Sequence, residues 1–427
     1  MIVMFITILF LILLILGIPI AYSLAIPCLI YFTFYEPSAL SIVPLRIFAG
    51  FDAYTLISFP LFITMGMLMH VGGLTKVLID VSMILFGKIK GGLVLVNVFA
   101  SMIFGGISGS SVADTASIGE ILIPEMLRRK YSVSVSTGVT VASSTIGMII
   151  PPSIPMLLYA MASSNSVGKL FIAGAIPGIL IGVFQLTISY ILGKKNNWPT
   201  EKIKMNSRDI KETILKGLPA ILMPFFVVGV MVFGVTTATE AAGLGVLYAA
   251  ICGLFVYHEL NLKTLIVTIK KSIYMSASIM LIITFSALFG WILVVEGVSE
   301  IVGNILFSLD IPNYAILLLF AFFLLFIGNF LDVGPAILLI TPIFLPAMTK
   351  LGIDPIVFGV VLIVGLAVGF ATPPIGQCLN VANKISGLNI VYIFLGSIPW
   401  LIANIITLVL VCLFPKLSLF LISFFKF

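Results

Sequence analysis

The sequence predicts an all-α integral membrane protein of about 11–12 transmembrane helices, with two re-entrant hairpins and two broken helices in an inverted repeat. Three observations lead there: an apolar chain, a duplicated pattern of glycines and prolines, and unlike charge around the two copies. Of 427 residues, 61% are hydrophobic and 9% charged, whereas soluble domains carry roughly 25% charged residues. Apolar stretches recur along the whole chain, each near the ~20 residues that cross a bilayer core. The first, from Met1, lacks a basic n-region and an A-x-A site and reads as a retained span rather than a signal peptide. The net charge of +6 comes from basic residues in short inter-span segments. That is the positive-inside pattern and argues against a nucleic-acid partner. The four cysteines (Cys28, Cys252, Cys378, Cys412) form no CxxC and no metal spacing, so they read as packing residues.

In chain order, spans are expected near 2–17, 18–36, 55–71 and 74–87, with an interfacial amphipathic segment at 37–53 around Arg46 and Asp52. A hairpin at 91–127, a broken helix at 133–165 and a span at 171–193 complete a first half, 1–193. The connection 194–217 holds seven basic residues (Lys194, Lys195, Lys202, Lys204, Arg208, Lys211, Lys216) against Glu201, Asp209 and Glu212, which places it in the cytoplasm. The second half, 218–427, gives spans near 218–236, 239–258, 272–295 and 299–309, a hairpin at 313–349, a broken helix at 355–384 and a span at 390–414.

Shifting residues 104–177 by 222 positions makes 17 of 74 identical without a gap, against roughly one in ten expected from so biased a composition. The matches fall on backbone-active residues: Gly106 on Gly328, Pro124 on Pro346, Gly147 on Gly369, Pro151-Pro152 on Pro373-Pro374, Gly174 on Gly396, Pro177 on Pro399. Lys88, Lys90, Arg128, Arg129 and Lys130 flank the first hairpin, whereas Asp310, Lys350 and Asp354 flank the second. The copies therefore face opposite sides, the plan of many secondary transporters.

The first hairpin carries Gly105-Gly106-Ile107-Ser108-Gly109-Ser110-Ser111 at its middle and Asp114 just beyond. Backbone this interrupted survives at membrane depth only where protein or a polar cavity satisfies it. Small-residue packing explains a Gly/Ser stripe, but a carboxylate in a span is costly and usually functional. The second tip, Gly328-Asn329-Phe330-Leu331-Asp332, repeats the ingredients, with Asp332 aligned to Ser110. Each broken span holds a Pro-Pro pair that stops the preceding helix and frees carbonyls: Pro151-Pro152 before Ser153, and Pro373-Pro374 after Thr372. Oxygen ligands of this kind suit a hard cation, and half-helix N-termini suit an anionic substrate. Ion-coupled transport of a small organic anion is the function these residues predict.

The tip Gly105–Ser111, the run Ile149–Pro155 (Ile-Ile-Pro-Pro-Ser-Ile-Pro) and Ala371–Gly376 (Ala-Thr-Pro-Pro-Ile-Gly) resemble the large, DctM-like membrane subunit of tripartite ATP-independent periplasmic (TRAP) transporters. Thr236–Ala242 is similar to that family's Thr-Pro-Thr-Glu-Ala-Ala element, with Ala238 where Pro is usual. The resemblance implies an elevator-type fold, with sodium between each hairpin tip and the facing Pro-Pro loop. Carried onto this chain, one sodium site uses Ser108, Ser110, Ser111 and Asp114 with Ser144, Thr145 and Gly147; the other uses Gly328, Asn329 and Asp332 with Gly369 and Thr372. Thr115, Pro151, Pro152, Ser153, Pro373 and Pro374 are expected beside the substrate. The resemblance further implies a small four-helix membrane subunit, a periplasmic substrate-binding protein, the bacterial inner membrane, and no cofactor beyond sodium as coupling ion. C4-dicarboxylates, sialic acid and other sugar acids are the substrates it allows.

A stand-alone sodium–dicarboxylate or citrate symporter shares the hairpins and Pro-Pro loops and is the alternative. An intramembrane serine protease is a remoter one, since Gly106-Ile107-Ser108-Gly109 fits GxSG and His70 is present; it leaves the duplication unexplained. No P-loop occurs, so ATP drive is not expected. His70 and His258 read as interfacial or packing residues, Glu125 as a partner of Arg128 or Arg129, and Trp291 and Trp400 as interface markers.

Overall fold

The computed structural model describes residues 2–51, 54–201 and 206–425; Asp52, Lys202 and Lys204 lie outside the described residues. The described chain is helical, without strands. It opens with α1 (Ile2–Ile15), α2 (Ile20–Ile30), α3 (Ile42–Phe51), α4 (Tyr54–Val71) and α5 (Leu74–Phe86). α4 and α5 form one bent pair, turned by 64° at Gly72-Gly73. Gly73 sits at φ +85°, a left-handed conformation that glycine adopts without Cβ strain.

The first hairpin is α6 (Gly92–Ser108) and α7 (Ser111–Arg128), followed by the broken pair α8 (Val133–Ser144) and α9 (Ile154–Ser163), and then the long α10 (Val167–Lys195). α11 (Ser207–Val232), α12 (Ala238–Ile251), α13 (Leu262–Val295) and α14 (Val298–Ser308) come next. The second hairpin is α15 (Asn313–Ile327) and α16 (Val333–Lys350), its broken pair α17 (Pro355–Gly369) and α18 (Gln377–Ser386), with α19 (Ile390–Leu413) and a short α20 (Lys416–Leu419) closing the chain. Ser111 and Val333, Arg128 and Lys350, and Val133 and Pro355 bound corresponding helices, each pair 222 positions apart.

Six described helices are long and apolar enough to cross a membrane, seven with the bent α4–α5 pair. Shorter apolar helices, including α6, α9, α15 and α17, are hairpin arms and halves of broken spans. Two boundaries depart from the hydropathy reading. α11 begins at Ser207 inside the basic connection, because Asn206 and Asp209 form a reciprocal capping box. α13 begins at Leu262, ten residues before the apolar run, for the same reason at Asn261 and Thr264.

The helices pack as two groups, which are themselves joined by α5 on α6 and by α13 and α14 on α16. α4 packs on α12 and α13, α13 on α2 and α3, and α11 on α5. The hairpins, broken pairs, α10 and α19 pack with one another: α19 on α8, α18 on α7, α16 on α9, and α10 on α19. The two halves thus interlock inside the second group. Apolar burial gives helices little preference for one another within lipid, so close backbone approach and polar contacts decide this packing. A Cβ on Gly138 of α8 would run into the carbonyl of Gly396 on α19. Gln185 of α10 donates to Asn404 of α19 (2.8 Å), which donates to Thr145 (2.6 Å), and Trp400 donates to Ser189 (2.8 Å). Trp400 is therefore an interior residue and not an interface marker.

On the basic side a strap, 197–201, ties down both ends of the first hairpin. Lys90 Nζ donates to Asn197 Oδ1 (2.7 Å) and the Gly91 N–H to the Pro199 carbonyl (3.2 Å) at the entry. Tyr131 donates to the same carbonyl (3.2 Å) and Arg129 pairs with the nearly buried Glu201 (3.0 Å) at the exit. Glu125 meets both Arg128 (3.4 Å) and Arg129 (3.0 Å), as its spacing predicts.

Candidate functional site

The glycines of the first tip are there for backbone contact. A Cβ on Gly105 would stand 2.5 Å from Gly147 Cα, and one on Gly106 2.9 Å from the Pro151 carbonyl. Gly109 takes φ +59° to end α6, and Ser110 then caps α7 by accepting from the Ala113 N–H. The tip is thereby pressed against the break between α8 and α9, where Thr145–Met148 form a 3₁₀ turn.

Behind that contact lies a web of hydroxyls. Ser111 donates to the Ser144 carbonyl (2.9 Å), and Thr115 is within hydrogen-bond distance of both the Ser144 hydroxyl (2.7 Å) and the Ser111 carbonyl (2.8 Å). Asp114 is fully buried beside Gly147, and neither carboxylate oxygen has a hydrogen-bond partner among the described residues. The neighbouring Ser101 hydroxyl is engaged with Ser143 (3.0 Å). An ionised carboxylate in such surroundings needs a cation or a proton. Ser111, Asp114, Ser144 and Gly147 are therefore brought together behind the first tip. Thr145 turns away, donating to the Ala142 carbonyl (2.6 Å) and accepting from Asn404. Ser108 stays at the tip, its hydroxyl against the Ser110 backbone (3.3 Å to N).

The second tip repeats the contact. A Cβ on Gly369 would stand 2.7 Å from Gly328 Cα. Thr372 donates to the Asn329 side chain and lies 2.8 Å from the Gly369 carbonyl. Asp332 caps α16, accepting from the Val333 N–H (2.7 Å). Its alignment with Ser110 thus has a structural meaning: both are helix N-caps at a hairpin tip. Both Pro-Pro peptides are cis.

Between the two tips lies a cavity of about 200 Å³. Ser110 and Ser111 line it from one tip, Asp332 and Gly334 from the other, with Gln377 at the start of α18. Its far wall is apolar: Phe59 of α4 and Met275, Ile279 and Ile282 of α13. The N-termini of α7 and α16 both face this space; the α7 end favours an anionic group, whereas the α16 end already holds the Asp332 carboxylate. Thr115, Pro151, Pro152, Ser153, Pro373 and Pro374 do not line it. Thr115 and Ser153 are buried with their hydroxyls on protein partners, and the prolines form the breaks behind the tips. Gln377 was missed by the sequence reading; its signal is a polar residue opening a helix directly after the Pro-Pro break.

The Thr236–Ala242 element also has a local explanation. Thr237 and Glu240 form a capping box that starts α12, with the Glu240 carboxylate accepting from the Thr237 N–H at 2.8 Å. The four cysteines are buried and free. His258 is exposed, its Nδ1 3.1 Å from the Leu254 carbonyl, and Trp291 stacks on Phe32 beneath Arg46.

Residues 7–417 match the family model described as the Tripartite ATP-independent periplasmic transporter, DctM component. The chain is 33% identical over 405 residues, 95% of each protein, to the sialic acid TRAP transporter large permease protein SiaM of Vibrio cholerae. It is 33% identical over 385 residues, 90% of each, to the C4-dicarboxylate TRAP transporter large permease protein DctM of Pseudomonas aeruginosa. The solved structure of the Alcanivorax borkumensis YdaH transporter shares the fold, with a TM-score of 0.63 over 92% of this chain and 90% of that one at 14% identity. These relatives transport and do not catalyse, which removes the protease alternative. The chain is a multi-pass membrane protein and belongs to the DctM component family of tripartite ATP-independent periplasmic transporters.

Proposed function

We propose that this chain is the large transport subunit of a sodium-driven uptake system for a small organic anion in the bacterial inner membrane. The cavity between the two hairpin tips carries the reading: it joins two helix N-termini, Ser110 and Asp332, close to the unpartnered Asp114 carboxylate. The anion sits against the Ser110 cap, and sodium sits between the tips and the Pro-Pro breaks, where Asp114 supplies negative charge. Neutralising that carboxylate couples ion binding to closure of the site around the anion. The hairpin group slides as an elevator along the group built on α4 and α11–α13. Orientation follows the charge, with the strap and the basic connection in the cytoplasm. A tripartite family supplies the partners: a small four-helix membrane subunit and a periplasmic binding protein that delivers the acid. Sialic acid and C4-dicarboxylates, named for the relatives, are the first substrates to test.

The test is uptake of a panel of labelled organic acids into proteoliposomes containing this chain, its small subunit and its binding protein. Uptake that needs both a sodium gradient and the binding protein supports the proposal. Uptake by this chain alone points to a stand-alone symporter, and no uptake of any acid removes the functional reading.

A further inference from the structure

A second cavity, of about 210 Å³, lies on the other side of the first hairpin tip and shares only Ser110, Ile154 and Met275 with the first. Its polar lining is Ser108, Ser110, Ser117 and His70. One wall follows α7 from its tip through Ala113 and Ala116 toward the strapped base, and the other is the last two turns of α4. That end of α4 lies on the basic side. Gly73 packs on Glu259 in the α12–α13 turn, where a Cβ would stand 2.7 Å from Glu259 Cγ. Tyr257, in the same turn, donates to the Lys216 carbonyl of the basic connection (2.7 Å).

His70 is exposed, its ring edge-on to Phe104 at 6.5 Å between ring centres and its imidazole without a hydrogen bond to other described residues. An ionisable side chain on an apolar helix is costly against lipid and is found where it meets water, as a cavity provides. A neutral imidazole offers one N–H donor and a charged one two, and either serves a carboxylate.

We propose that this second cavity is the compartment through which the organic anion leaves for the cytoplasm, and that His70 contacts the anion there. The proposal rests on the transport reading and adds its exit side. An anion passing Ser110 exchanges the α7 cap for the Ser108 and Ser117 hydroxyls and the His70 N–H, moving past Ser110, Ile154 and Met275, which line both cavities.

The four native cysteines are buried, so an introduced thiol reports alone. His70→Cys, with the partly buried Ala116→Cys as the milder substitution should the first not fold, is treated with methanethiosulfonate ethylsulfonate, a membrane-impermeant organic anion. Modification should run at least tenfold faster in inside-out than in right-side-out vesicles. Equal rates, faster reaction in right-side-out vesicles, or no reaction at either position overturns the compartment. This assay needs no uptake, so it stands apart from failure of the transport reading. For the role of His70, the acid identified by the uptake panel is used in efflux. His70→Ala should raise the cytoplasmic-side KM roughly tenfold, the loss of one hydrogen bond to a charged group, and leave the uptake-side KM unchanged. His70→Gln, which keeps an N–H donor, should restore it. Unchanged efflux in His70→Ala, or equal changes on both sides, overturns the contact.

Discussion

Asp114 is the residue on which the proposed ion site turns, because it is fully buried and its carboxylate lacks a partner among the described residues. Bound sodium would stabilise the folded chain by mass action, about 1–3 kcal/mol at saturating concentrations. Exchanging choline for sodium is therefore expected to raise the unfolding midpoint of the purified protein by roughly 2–8 °C. Asp114→Asn should reduce that sodium-specific rise by the share of the first site and stand higher than the wild type in choline, since the buried charge is gone. Scanning fluorimetry reads both effects, and an undiminished sodium response in the variant contradicts the assignment. Asp114 was legible in the sequence because a carboxylate among glycines and hydroxyls has no bland explanation. Asp332 was equally visible, but its N-cap role appears only when α16 is seen to begin there.

The hairpins and the breaks were legible because they are written locally, in Gly, Ser and Pro-Pro runs that no lipid-facing helix tolerates. The starts of α11 and α13 were not, because hydropathy hides a helix that begins in polar sequence, although N-x-x-D and N-x-x-T capping patterns mark both. Contacts between elements follow their own rules. Gly138→Ala should lower the unfolding midpoint, at a cost of about 1–3 kcal/mol, because α8 and α19 leave no room for a methyl. Gly243→Ala on α12, where the added Cβ meets nothing within 4 Å, should not lower it. At the strap, Glu201→Gln removes a carboxylate that is 6% exposed from an Arg129 that is 50% exposed. Partial solvent screening reduces the loss to about 1 kcal/mol, read as faster proteolysis between α10 and α11. The exposed Lys216–Glu212 pair is the control, and Glu212→Gln should change nothing.

At the scale of the molecule, the repeat was visible in sequence but the interlocking of its halves was not. Gln185, Asn404 and Thr145 come from α10, α19 and the 3₁₀ turn after α8, and nothing in their local sequence pairs them. The central cavity was half legible for the same reason. Its polar rim comes from the tips, whereas its apolar wall of Met275, Ile279 and Ile282 is indistinguishable in sequence from any lipid-facing stretch. In the proposed function these parts are joined by coupling: the anion and the ion would occupy sites built from the same two tips, so neither should cross without the other. The measurement is simultaneous flux of radiolabelled sodium and labelled acid into proteoliposomes holding the assembled transporter. The account predicts that both enter in a fixed ratio, that omitting either stops the other, and that Asp114→Asn uncouples or abolishes the pair. Acid entering at full rate without sodium flux would contradict it.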